Sequence, residues 1–366
     1  MASLFHTFQN ESFFCGTVPP RADFQAEVKE LINAALSQAP AGHKAVWFRF
    51  HTSDIANQED ILRKVLADME INCAAAIIGQ APLDGAHVGL EACFTSENIS
   101  IPQPGHVCVE AGPYRQLYFN TPQLTTRGSG PQMEEEFLAA EKTVASFGGN
   151  IPENLHRTWI YCRDIDNNYA DLVTSRRELF TRWGLTAKTH YITSTGIEGL
   201  PHPHWRLVRM DSMALFGHKK EQIQYLYASE HLSPTHIYGV TFERATRIIY
   251  GDRSCYYISG TASIDKAGQV VHPQDVEKQT CRLLENVDAL MKEGGGTLSD
   301  LCQAIVYLRD PADYQRVKKI IDSALPEKTV RLIVRGSICR PAWLVEMDAI
   351  GLNKNGDPAF APWGKK

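Results

Sequence analysis

Apolar residues recur at two periods along this chain. Between Asp275 and Met291, Val276, Leu283, Leu284, Val287 and Leu290 follow helical spacing with Glu277, Lys278 and Arg282 between them, which predicts an amphipathic helix. Gly294-Gly-Gly296 then closes that helix as a C-cap. From Trp343 to Ile350 the pattern alternates, which predicts a strand with Leu344, Glu346, Asp348 and Ile350 on one face. The same patterns appear earlier. Val107 to Asn120 and Ser254 to Asp265 read as paired strand segments, and Met133–Ser146 reads as a helix. In the strand that follows, Arg157, Trp159, Tyr161 and Arg163 share one face, with Thr158, Ile160 and Cys162 on the other. Nearer the N-terminus, Val46–Phe50 predicts a strand and Glu59–Met69 a helix.

These elements repeat in order. Arg157 to Tyr169 and Ala304 to Tyr314 both run as an apolar strand ending in Tyr-x-Arg-Asp, then a turn and a tyrosine, and Arg163 and Arg309 lie 146 residues apart. Lys188-Thr189 pairs with Lys328-Thr329 and Gly196 with Gly336, both at an offset of 140, and Leu207-Val-Arg-Met-Asp211 pairs with Leu344-Val-Glu-Met-Asp348 at 137. The shrinking offset requires only short loop deletions, so the chain is read as two copies of one unit. The expected domains are an N-terminal extension over 1–100 (a partial third unit being the alternative), a degenerate unit over 101–218, a second unit over 219–352 and a flexible tail over 353–366.

Composition narrows the function. The formal charge of −5, with 22% charged and 43% hydrophobic residues, gives no global attraction to nucleic acid or anionic membrane, so no nucleic-acid or membrane partner is expected. Met1 to Gln9 is polar and predicts no signal peptide, and the apolar run Cys73–Ile78 is too short to span a bilayer. Nine cysteines without a CxxC pair fit a reducing, cytoplasmic setting. The Gly294 run lacks the Lys-Ser/Thr of a phosphate loop, His202-Pro-His204 has no third ligand at metal spacing, and neither GxSxG nor GxGxxG occurs. No cofactor and no metal are implied, and the expected partner is a small molecule.

The second copy resembles the Rid (YjgF) family. The resemblance rests on Ile258-Ser-Gly-Thr-Ala-Ser-Ile-Asp265, Gln279-Thr280 with Leu284-Glu-Asn-Val287, Val306-Tyr-Leu-Arg-Asp310 and Cys339-Arg-Pro-Ala-Trp-Leu-Val-Glu-Met-Asp-Ala-Ile350. Two such copies, with Ser233-Pro-Thr-His-Ile-Tyr-Gly239 and Phe242-Glu-Arg244 between them, look like the chorismatase branch of that superfamily. The resemblance implies an α+β fold of two Rid/YjgF-like (chorismate mutase-like) units, each a mixed sheet covered on one face by helices. It also implies release of pyruvate from chorismate, with 3-hydroxybenzoate as the favoured second product. Hydrolysis to a dihydroxycyclohexadiene carboxylate, enamine/imine hydrolysis and non-catalytic metabolite binding are the alternatives. A monomer with an internal pseudo-oligomer is expected, a homotrimer being the other arrangement.

Glu346 is the leading catalytic candidate. A carboxyl among apolar strand neighbours loses hydration and keeps its proton to higher pH, as a general acid must. The resemblance places the matching glutamate of both families against the ligand, and the first copy has Arg209 there instead. Arg331, fifteen positions earlier, matches the arginine with which Rid proteins grip a carboxylate, a task that suits a bidentate guanidinium. Cys339 matches a cysteine of the 3-hydroxybenzoate-forming chorismatases, against the alternative of an inert core thiol. Arg157 and Arg163, on the aromatic face of their strand, suit either a pocket for a planar dianion or a strand under a polar loop. Tyr225, Tyr238 and Thr261 are candidate hydrogen-bond donors to a substrate oxygen.

Overall fold

The structure, a computed structural model, describes residues 2–121 and 124–364, with the side chains of Ala2 and Tyr238 outside the description. The described chain forms three mixed sheets with seven α-helices.

The first sheet runs β1 (Ala2–Phe8), β2 (Glu11–Thr17), β5 (Val88–Thr95), β3 (Lys44–Thr52) and β4 (Ala74–Gly79), with α1 (Phe24–Gln38) and α2 (Ile55–Asp68) on one face. The second runs β10 (Thr193–Glu198), β9 (Leu155–Cys162), β11 (Val208–Phe216), β8 (Tyr114–Asn120), β7 (His106–Ala111) and β6 (Asn98–Gln103). It carries α3 (Ser129–Ser146), α5 (Ile165–Arg182) and the single turn α4 (Ile151–Asn154). The third runs β12 (Ile223–Leu226), β13 (Ala245–Ile249), β14 (Ser254–Ala262), β17 (Val345–Asn353), β15 (Leu301–Leu308) and β16 (Val330–Arg335), with α6 (Val276–Glu293) and α7 (Tyr314–Ala324).

One topology underlies all three layers. β3–α2–β4, β9–α5–β10 and β15–α7–β16 are parallel crossovers, and β5, β11 and β17 run antiparallel beside them. The first hundred residues therefore hold a complete sheet-and-helix layer where the sequence suggested an extension or a fragment. Their strands lack the Tyr-x-Arg-Asp turn that exposes the other two copies: β3 ends in Phe50-His51-Thr52. Its α1, capped by Asp23 accepting from the Gln25 N–H, buries Val28, Leu31, Ile32 and Ala35.

Strand alternation decides what faces what. In β9, Trp159 and Tyr161 point into an interior shared by all three sheets, while Ile160 and Cys162 pack under α3 and α5. In β3, Trp47 faces the shared interior and Phe48 and Phe50 face α1 and α2. Each large apolar side chain so buried contributes about 1.5–3 kcal/mol. Three isolated bridges link the layers pairwise: Gly79 to Leu200, Pro82 to Val334 and Ile197 to Ile338. Each layer thus touches the other two, and the ring closes within one chain.

The register makes Glu91, Asp211 and Asp348 equivalent in the three layers, opposite Arg49, Trp159 and Ile305. These three buried carboxylates are compensated internally. Arg49 lies 2.7 Å from Glu91 and 3.0 Å from Asp211, Arg157 lies 3.2 Å from Asp348, and Gln303 donates to Glu91 at 2.7 Å.

Beyond Asn353 the chain is docked, where its composition suggested a loose tail. Trp363 is buried and stacks on Tyr114, its backbone N–H donates to Asp252, and the Tyr114 hydroxyl donates to the Ala361 carbonyl. One aromatic anchor outweighs the surrounding Pro, Gly and Lys.

Candidate active site

β17 carries Glu346 on its inward face, opposite Tyr307 of β15 and Ala262 of β14. The β14–β17 register shifts between Ile258 and Thr261, a bulge that brings Gly260 against the glutamate. A Cβ on Gly260 would sit 2.2 Å from Glu346 Oε1, so only glycine leaves room for this carboxyl. Glu346 is 5% exposed. Burial pushes its carboxyl up to about 8, the neighbouring Asp348 adds to the rise, and Arg244 and Arg157 oppose it. A carboxylic acid protonated at neutral pH therefore faces a pocket.

That pocket lies between the second and third layers. Gly260, Cys339, Trp343 and Glu346 come from the third; Tyr169 and Arg176 of α5 come from the second, and Phe242 and Arg244 close one side. Its open volume is about 30 Å³. Cys339 hydrogen-bonds with Tyr169, and burial pushes its thiol up to about 12, so it stays protonated. Arg176 is buried among Leu172, Val173, Leu179 and Phe180, and its Nε and Nη2 have no hydrogen-bond partner. A buried guanidinium with unmade hydrogen bonds on a pocket wall can receive an anion. Arg244 donates to the Ser233 carbonyl at 2.9 and 3.1 Å while lining the pocket.

Phe242 and Arg244 also wall a second cavity of about 230 Å³. There Glu243 accepts from the Tyr191 N–H at 2.6 Å, and burial pushes its carboxyl up to about 7.

The structure brings together two of the residues singled out from sequence, Glu346 and Cys339. Arg157 is buried behind the site, bonded to Thr195 and paired with Asp348, and does not line the Glu346 pocket. Arg163 donates to the carbonyls of Arg206 and Pro201 and pins a loop. Arg331 opens on a different cleft, between the third and first layers, where it is held by Asp322 and the carbonyls of Pro326 and Thr329. It sits on an edge strand beyond β15, so fifteen residues of sequence separation do not bring it near Glu346. The Thr261 hydroxyl turns back to the Ser259 carbonyl. Tyr225 stacks on His190 beside the second cavity, and the Tyr238 side chain lies outside the described residues. Sequence reasoning missed Arg176, Tyr169 and Gly260. For Arg176 a signal existed: an arginine on the apolar stripe of its helix.

The family described as Endoribonuclease L-PSP matches residues 246–352, which run from β13 to the end of β17. Among solved structures, a chorismatase determined at 1.08 Å resolution superimposes with a TM-score of 0.67 and 16% identity over 96% of this chain and 99% of that one. The chain has the chorismatase fold. Shorter solved chains align with about a third of it. A putative endoribonuclease from Thermotoga maritima is 20% identical over 36% of this chain and 98% of its own, with a TM-score of 0.31. A YjgF-family protein from Mycobacterium tuberculosis is 22% identical over 33% and 96%, with a TM-score of 0.28. Within the chorismatase fold the matched segment supplies Gly260, Cys339 and Glu346, and the preceding layer adds Tyr169 and Arg176. Among the described residues, no helix is long and apolar enough to cross a membrane.

Proposed function

We propose that the protein is a chorismatase that releases pyruvate from chorismate, with Glu346 as the general acid. The observation that carries this reading is the buried Glu346 carboxyl, held up to about 8, in one pocket with Arg176, whose Nε and Nη2 are unpartnered. Chorismate is a dicarboxylate bearing an enolpyruvyl ether. Proton transfer from Glu346 to the vinyl methylene converts the ether to an oxocarbenium ion, which an oxygen then attacks. Collapse of that adduct frees pyruvate. Arg176 binds one carboxylate through charge-assisted hydrogen bonds, and Arg244 provides positive charge on the opposite wall.

The choice of attacking oxygen sets the second product. The ring walls of Tyr169, Phe242 and Trp343 shield the Glu346 pocket from bulk water, which favours rearrangement on the ring and 3-hydroxybenzoate over simple hydrolysis. Cys339, a neutral thiol on the same wall, excludes water and shapes the pose of the ring. Tyr238 remains a candidate donor to a substrate oxygen. The pocket draws on two layers of one chain, which suits a monomer acting as its own pseudo-oligomer.

Incubating pure protein with chorismate and assaying pyruvate tests the reading. Pyruvate at stoichiometry with chorismate consumed, lost in Glu346→Gln, is the expected result. No pyruvate, with ammonia released from an imino acid, would replace this reading with imine hydrolysis.

A further inference from the structure

The Glu346 carboxyl belongs to the third layer, but its support comes from the second. Asp348 lies two residues further along β17, on the same inward face. Its Oδ2 accepts from the Tyr307 hydroxyl at 3.1 Å and lies 3.2 Å from Nη2 of Arg157. That same Nη2 donates to Thr195 Oγ1 at 2.6 Å, and this oxygen accepts the Gly260 N–H at 3.1 Å. Gly260 is the residue against which Glu346 Oε1 rests. A continuous set of contacts therefore leaves Glu346 along its own strand, crosses to β9 and β10, and returns through Gly260.

Arg157 is fixed in this role. Nη1 donates to the Thr158 carbonyl and the guanidinium lies 4.5 Å from the centroid of the Trp159 ring. The equivalent acids Glu91 and Asp211 both engage Arg49, whereas Asp348 pairs with Arg157. The charged and titratable groups facing Glu346 are Asp348 on its own strand, Tyr307 opposite it on β15, Arg157 on β9, Arg244 ahead of β13, Tyr169 and Arg176 on α5, and Cys339 ahead of β17. Asp348 is the carboxylate in that set. Burial pushes the Asp348 carboxyl up as well, and its pairing with Arg157 and hydrogen bond to Thr195 favour the charged form, which opposes a second negative charge at Glu346; the same two partners keep Asp348 from turning into the pocket.

We propose that Asp348, clamped by Arg157 and Thr195, is a positioning residue that keeps the Glu346 carboxyl protonated and seated against Gly260. This deepens, and rests on, the reading of Glu346 as the acid.

Two variants test it. Asp348→Asn keeps the shape and removes the charge. Two residues along a strand place the groups roughly 7 Å apart, and at an effective dielectric of about 20 the Glu346 midpoint falls by about one to two pH units. Thr195→Val changes no charge but releases the Gly260 N–H. It lowers kcat on chorismate about tenfold or more with KM unchanged, and Thr195→Ser restores it.

The midpoint is read without substrate, by isotope-edited NMR of carboxyl-labelled glutamate, with the Glu346 resonance assigned by its loss in Glu346→Gln. The pH profile of kcat is recorded in parallel, and thermal melts verify folding. A midpoint that does not move in folded Asp348→Asn, or a wild-type kcat in Thr195→Val, overturns the proposal. Should Asp348→Asn fail to fold, Thr195→Val and its serine rescue decide. A shifted midpoint in a protein that yields no pyruvate from chorismate would refute the proposed reaction while upholding the role of Asp348.

Discussion

Replacing Arg176 with methionine should strengthen the free protein and weaken its hold on substrate. Arg176 Nε and Nη2 are buried without partners. Each unmade hydrogen bond costs about 1–3 kcal/mol, so the pair costs about 2–6 kcal/mol. Methionine has similar length, fits the stripe of Leu172, Val173, Leu179 and Phe180, and leaves no polar atom unsatisfied. For a chain of this length the unfolding entropy is about 0.8 kcal/mol per kelvin, so the melting temperature of the free protein should rise by roughly 3–8 °C. Binding moves the other way. A charge-assisted hydrogen bond is worth about 1.5–3 kcal/mol, which predicts a KM for chorismate raised roughly 10- to 150-fold. Scanning calorimetry with and without a non-turned-over dicarboxylate analogue, beside pyruvate-release kinetics, measures both. The wild type should gain stability from the analogue, and the variant should start higher and gain little. A variant that melts below the wild type with an unchanged KM would refute the reasoning and make Arg176 a structural cation.

Further outcomes are expected at Glu346, Gly260, Cys339 and Arg331. The kcat on chorismate should fall as pH rises through about 8, because Glu346 must carry its proton. Since its folded carboxyl titrates above its unfolded value, that group's contribution to stability is present at low pH and lost between about 4.5 and 8, and Glu346→Gln should flatten the melting profile in that window. Gly260→Ala puts a methyl 2.2 Å from Glu346 Oε1, so kcat should collapse with a stability loss of about 1–3 kcal/mol, read by kinetics and denaturant titration. Cys339→Ala opens the wall to water and should raise the dihydroxycyclohexadiene fraction in product chromatography, while the wild-type thiol, held near 12, resists alkylation at neutral pH. Arg331→Lys should leave KM on chorismate unchanged, because that arginine lies on the other side of its sheet edge, bound to Asp322.

Much of the third layer was legible in sequence because period and repeat agree there. The Val276–Leu290 stripe became α6, Gly294 caps it, and the alternation at Trp343–Ile350 put Glu346 on the inward face of β17. The buried acid was legible for the same reason: an ionisable group among apolar neighbours at period two. What stayed hidden depends on which layer meets which. Arg157 and Arg331 both had the right chemistry, but one is absorbed by Asp348 and the other faces the first layer. No spacing within a strand reports that. The first layer stayed hidden because its inward positions are Trp47, Arg49 and His51, where the second has Arg157, Trp159 and Tyr161. The physical role is conserved in shape while the letters are permuted.

The closed ring has a consequence for how such a molecule changes over generations. The position held by Glu346 in the third layer is Arg209 in the second and Gly89 in the first, each facing a tyrosine or histidine across its sheet. In an assembly of three identical chains, one altered codon changes every cleft at once, and any fault is tripled. Here each cleft has its own codons. One can keep a costly buried acid where another has a buried arginine and a third a glycine. The Glu346 cleft is also joined covalently, since the chain that supplies α5 supplies β17. Its assembly is unimolecular, so turnover per chain should be the same in the most dilute solution as in a concentrated one.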